Sequence, residues 1–171
     1  MATCWSPCWA AVSAASSITD LVRRDYPGPP TPSGCPATLS GGVEVNAKRV
    51  PVSAPGAVAV GPYSHAIDSD GTVFCSGQTP LDPATGQLVD GGVGAQTHRC
   101  FDNLFAVLAG AGLGPDDVVK VNVFLTDMAT FDEMNDAYRT RFAEPFPART
   151  TIGVAALPLG AQVEIELIAR R

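Results

Sequence analysis

Basic charge is scarce in this chain. Eleven lysines and arginines stand against 17 acids, so the formal net charge is −6 and the isoelectric point is near 4.7. That balance argues against a broad electrostatic footprint for nucleic acid or an anionic membrane, though not against a local basic pocket. Long hydrophobic runs are missing as well. No stretch approaches the roughly 18–20 apolar residues needed to span a bilayer. His65 and His98 are the only histidines, and neither has a Cys or His at ligand spacing. The five cysteines, Cys4, Cys8, Cys35, Cys75 and Cys100, are odd in number and lack CxxC or zinc-like spacing, so they offer neither a disulfide framework nor a metal site. Cys75 and Cys100 fall in apolar segments, where a thiol acts as a small buried hydrophobe. A reducing compartment, the cytoplasm, is the expectation. No GxSxG elbow surrounds Ser76, so a nucleophilic serine is not indicated. Gly91-Gly92-Val93-Gly94 follows no strand and lacks a P-loop lysine, so it is no phosphate cradle.

What is present divides the chain in two. Six of the 15 prolines and three of the five cysteines lie in residues 1–46. Pro27-Gly28-Pro29-Pro30-Thr31-Pro32 can form neither a helix nor a central strand. This part reads as a disordered extension. Its Ala, Ser and Trp with Arg23-Arg24 leave organelle targeting open; Asp20, Asp25 and the lack of a basic segment before an apolar one stand against it. A start near Val43 or Val45 would need a non-Met codon, because the next methionine after Met1 is Met128.

Residues 47–171 read as one domain, and the 46% apolar content of the chain is ample for a core. Strands are expected around Ser64–Asp68 and Thr72–Ser76, with Asp70-Gly71 as the hairpin turn between them. Leu81-Asp82-Pro83-Ala84-Thr85-Gly86 is a loop by composition. Residues 95–111 read as a helix, with Cys100, Leu104, Val107, Leu108 and Ala111 on one stripe and Gly110, Gly112 and Gly114 as stop signals. Val118 to Leu125 is a strongly apolar strand. Thr126 or Asp127 can cap a second helix over 129–142, whose inner face is Phe131, Met134, Tyr138 and Phe142. A strand beginning near Arg149 follows, and the last runs from Gln162 to Ala169. The order is β-β-α-β-α-β-β, an α+β fold in which helical crossovers cover one face of a mixed sheet. The strands are too apolar to leave the other face wet, which points to subunit association.

Phe146-Pro147-Ala148-Arg149-Thr150-Thr151 carries one guanidinium at a strand entrance, on backbone stiffened by Pro145 and Pro147. A surface arginine paired with a neighbouring acid is the plainer reading. The functional one is a planar fork gripping a carboxylate. Val163-Glu164-Ile165-Glu166-Leu167 puts both glutamates on the face opposite its apolar residues. There they are either solvated charges or proton-handling groups raised by desolvation. Tyr63 is either a half-buried anchor or a pocket wall. Gly77, in Ser76-Gly77-Gln78, lets a ligand approach the backbone closely. Asn135 lies off the apolar stripe of the second helix, as an exposed polar residue or one with a task.

Together Gly61-Pro62-Tyr63-Ser64, Ser76-Gly77-Gln78, Leu81-Asp82-Pro83-x-Thr85-Gly86, Phe146-Pro147-Ala148-Arg149-Thr150 and Val163-Glu164-Ile165-Glu166 resemble the Rid (YjgF-type) family of reactive-intermediate deaminases, over about 54–171. The resemblance implies a chorismate-mutase-like fold assembled as a homotrimer, with ligand clefts between subunits. It implies hydrolysis of 2-imino acids such as 2-iminobutanoate and 2-iminopropanoate, and of their enamines, to 2-keto acids and ammonia without a cofactor. Arg149 would bind the substrate carboxylate. Tyr63, Ser76, Gly77, Asn135, Thr151 and Glu164 would line the same cleft, with Glu164 handling the water or a proton. Thr151 stands where many relatives have Cys, and His65 where Gln is common. Three other readings remain: a non-catalytic metabolite-binding trimer, an endoribonuclease or translation inhibitor, and a chaperone-like role. Nine basic against 14 acidic residues, net −5 over 47–171, disfavour the second.

Overall fold

A computed structural model of the chain describes residues 49–54 and 61–171. The extension expected over residues 1–46 lies outside them. Six strands form one mixed sheet: β1 (Val50–Val52), β2 (Ala66–Ser69), β3 (Thr72–Gln78), β4 (Val118–Leu125), β5 (Ala148–Gly153) and β6 (Val163–Arg170). Two helices, α1 (Val93–Gly110) and α2 (Phe131–Arg139), cover one face. The spatial order is β1-β2-β3-β6-β4-β5. The expected α+β architecture is present, with one correction: β1 is a sixth strand, paired antiparallel with β2 at the sheet edge. Pro51 at its centre made the segment unlike a strand, but on an edge strand the missing N–H need break no ladder bond.

Both β3 and β4 run antiparallel to β6, which lies between them. Helix α1 is therefore the crossover between two parallel strands one slot apart. Helix α2 joins β4 to β5, its parallel neighbour. Asp70 and Gly71 adopt positive φ angles of 53° and 80°, which close the β2–β3 hairpin.

The core forms where the two periodicities meet. Cys100, Leu104, Val107 and Leu108 of α1 are buried against Val121, Val123 and Leu125 of β4 and Val163, Ile165 and Leu167 of β6. Each large aliphatic side chain so buried contributes roughly 1.5–3 kcal/mol relative to an exposed one. Helix α2 is shorter than the expected 129–142. Asp127 Oδ1 accepts from the Ala129 N–H at 2.8 Å and starts a 3-10 turn over Met128–Thr130, and the helix stops at Arg139. Phe142 lies beyond it yet still stacks edge-on against Phe101 and Phe105.

The glycine run before α1 has a structural use. Gly92, at the cap position, has no side chain to satisfy the first amides of the helix. Glu133 of α2 supplies the acceptor, its Oε1 taking the Gly94 N–H at 2.9 Å. A Cβ at Gly92 or Gly94 would press on that carboxylate.

Candidate active site

Strand β5 is a sheet edge, and its register with β4 sets the direction of Arg149. Arg149 pairs with Val121, whose side chain is in the core, so Arg149 also points to the helix side. There its Nη2 donates to Asn135 Oδ1 at 2.9 Å. The guanidinium carbon sits 4.5 Å from the Tyr138 ring centroid and 5.6 Å from that of Phe131. Among the described residues no carboxylate pairs with it. The arginine is half-buried and stacked rather than paired with an acid. Burial pushes the Tyr138 phenol up, against a smaller lowering by Arg149, so the platform under the cation is a neutral ring. Thr151, two residues on along the strand, faces the same side; its Oγ1 is buried and has no hydrogen-bond partner among the described residues. Asn135, Tyr138, Arg139, Phe146, Pro147 and Arg149 line an open cleft of about 330 Å³.

The remaining candidates lie elsewhere. Glu164 and Glu166 project from the other face of β6, as the alternation required. The β3–β6 register shifts between Cys75 and Gln78, so β3 bulges at Ser76-Gly77. The Glu164 carboxylate rests over Gly77, where any Cβ would overlap its Oε1. Burial raises the pKa of Glu164, and the neighbouring charge of Glu166 raises it further. Asn122 of β4 holds Glu166, its Nδ2 donating to Oε1 at 2.8 Å. The Ser76 hydroxyl donates to the Ser64 carbonyl at 2.7 Å, and the Ser76 amide donates to the His65 carbonyl at 2.9 Å. Tyr63, one residue before Ser64, is 47% exposed, with its ring centroid 6.1 Å from that of His65. His65 is buried, and its Nδ1 has no partner among the described residues.

Within one chain the candidate residues thus form two groups. Arg149 and Asn135 meet on the helix side of the edge strand, the side to which Thr151 also faces. Glu164, Ser76 and Gly77 meet on the open face, and Tyr63 immediately precedes Ser64, whose carbonyl takes the Ser76 hydroxyl. Tyr138 was legible only as a core residue, and Arg139 carried no signal beyond standing four residues, one helical turn, after Asn135. The tie from Asn122 to Glu166 spans 44 residues and had no local signature.

The endoribonuclease L-PSP family model matches residues 53–171. A mouse protein named 2-iminobutanoate/2-iminopropanoate deaminase is 48% identical over 111 residues, which cover 65% of this chain and 82% of that one. The Schizosaccharomyces pombe protein mmf1, named as mitochondrial, is 41% identical over 124 residues, covering 71% and 75%. Among solved structures, RidA from an Antarctic Psychrobacter superposes with a TM-score of 0.69 at 42% identity, over 72% of this chain and all of that one.

Proposed function

The chain belongs to the endoribonuclease L-PSP family, which includes the Rid proteins, and from that premise we propose that it is a deaminase of 2-imino acids. It would convert 2-iminobutanoate, 2-iminopropanoate and their enamine tautomers to 2-keto acids and ammonia. One observation carries this reading: a half-buried guanidinium with no acidic partner among the described residues, held in place by Asn135 and Tyr138 at the wall of a cleft. A cation fixed in that way is prepared for an anion that arrives from outside. The substrate's carboxylate is that anion.

The C=N carbon is already electrophilic, so the protein's task is to position water and move protons. Water oxygen bonds to C2, a proton passes to nitrogen, and the C–N bond breaks as the carbonyl forms. Glu164 is the group we assign to the water and the proton. Its raised pKa brings it closer to neutral pH, where one side chain can both accept and return a proton. Tyr63 would orient the substrate or the water, and Gly77 would offer its backbone. Ser76 and Thr151 would complete the cleft with Asn135.

Arg149 and Glu164 lie on opposite faces of one sheet, so the reaction asks for a second copy of the chain. We assign the homotrimer, with each site at a seam. The open sheet face, with Phe74 47% and Ile152 46% exposed, supports that assembly. The cytoplasm is the compartment we assign, on the free, buried thiols of Cys75 and Cys100. Among the described residues no helix is long and apolar enough to cross a membrane.

The test is a coupled assay in which threonine or serine dehydratase generates the imine in situ. Arg149→Ala should lose about 3–5 kcal/mol of transition-state stabilisation, a rate loss of two to three orders of magnitude or more, with assembly intact. Turnover near wild type by that variant would remove the mechanism.

A further inference from the structure

Among the described residues, the cleft beside Arg149 is lined by two arginines and no acid. Asn135 fixes Arg149, and among the described residues nothing comparable fixes Arg139. Its ion-pair partner is Asp136, three residues before it on the same helix, at 3.4 Å with side chains 65% and 74% exposed. Water competes freely with such a pair. Arg139 follows Asn135 by four residues, so α2 presents both on one side, above Phe146 and Pro147. A monocarboxylate held by Arg149 leaves this second cation without a task.

The acidic balance of the chain does not cancel the local field. At physiological salt, exposed charges more than about 8 Å away are largely screened; the near acid is Asp136, whose solvated pair with Arg139 offsets part of that cation and leaves Arg149 uncompensated. A volume of about 330 Å³ is at the small end of ligand sites and is enough for a short-chain acid.

We propose that the cleft is built for 2-imino dicarboxylic acids, with Arg149 on the C1 carboxylate and Arg139 on the carboxylate that ends the side chain. This rests on the deaminase reading and names its substrate class. The reaction balances as before: water oxygen joins C2, the C=N bond becomes C=O, ammonia leaves, and no electrons are exchanged. The distal carboxylate takes no part in bond making and serves only as a handle. The supplying reaction is then the two-electron oxidation of the C–N bond of an acidic amino acid, rather than dehydration of a hydroxy amino acid.

The experiment compares two imines made in situ with the full-length protein. One is the imine of aspartate or glutamate, from an amino-acid oxidase; the other is 2-iminobutanoate, from threonine dehydratase. For the wild type, kcat/KM on the dicarboxylate should exceed that on 2-iminobutanoate by about tenfold or more. In Arg139→Gln that ratio should fall to about one, with the loss appearing in KM, and Arg139→Lys should keep part of it. Circular dichroism and gel filtration show that the variants fold and assemble as the wild type does. A wild-type ratio of about one or below, or a ratio unmoved by Arg139→Gln, overturns this inference alone. Turnover of neither imine overturns the deaminase reading and this inference with it.

Discussion

Two inactive variants of this protein should restore each other when mixed. Arg149 is level with Val121 on β4, and Glu164 with Phe124, three residues further along the same strand. At about 3.3 Å per residue that is about 10 Å along the sheet; the two strand spacings from β5 to β6 add about 9.5 Å across it. The Cα atoms are then about 14 Å apart in the plane, with side chains leaving opposite faces. A four-carbon imino acid is about 5 Å long, so one chain cannot place it against both groups. If each site takes Arg149 from one protomer and Glu164 from its neighbour, an Arg149→Ala chain still offers a sound Glu164 side. A Glu164→Ala chain still offers a sound Arg149 side. Equal co-expression and random assembly pair the two sound sides at about a quarter of all sites. The mixed trimers, in which one seam of the three joins two sound sides, should show about a third of wild-type kcat per protomer, while each parent stays near background. Arg149→Ala mixed with Asn135→Ala should recover nothing, because both lesions fall on the same side. Differently tagged chains, purified through both tags and assayed on 2-iminobutanoate, supply the measurement. A mixture of Arg149→Ala and Glu164→Ala no more active than its parents would refute the shared site.

Other outcomes follow from single side chains. Because Glu164 has a raised pKa, its contribution to stability is whole below the ordinary carboxylate value and is lost as pH rises through the raised one. Glu164→Gln removes that titration, so its Tm should gain on wild type as pH climbs above about 4.3; a Tm difference constant from about pH 4 to about pH 8 would contradict the assignment. Gly77→Ala should lower kcat about tenfold or more with a small change in Tm, since the added Cβ displaces the flexible end of Glu164 rather than the backbone. Steady-state kinetics beside thermal unfolding separate the two effects. Thr151→Val should stabilise the ligand-free protein by about 1 kcal/mol, because it replaces a buried hydroxyl that has no partner among the described residues. A fall in Tm would show that the hydroxyl is bonded in the assembly.

How much of this was legible depends on the distance over which each feature is encoded. Val163 to Leu167 declared its two faces, and Asp70-Gly71 its turn, because both are set within a few residues. The stripe on α1 named the core in the same way. Period two says which residues of a strand share a face; it is silent on which strands pair and in what register. The opposition of Arg149 and Glu164 therefore emerged only with the sheet order. The edge strand at Val50–Val52 was hidden by Pro51, a residue that forbids interior strands and tolerates edges. The early end of α2 was hidden because Phe142 keeps its inward packing after the helix has stopped.

Glu133 carries a last consequence. Its carboxylate is spent on the start of α1, yet it grows from α2 only two residues before the asparagine that steadies Arg149. The contact fixes how α2 is rolled about its own axis. A screen for lost function would count position 133 among the residues of the reaction, although it touches nothing that reacts. Kinetics would register its loss as a drifting KM, and calorimetry as a softened domain.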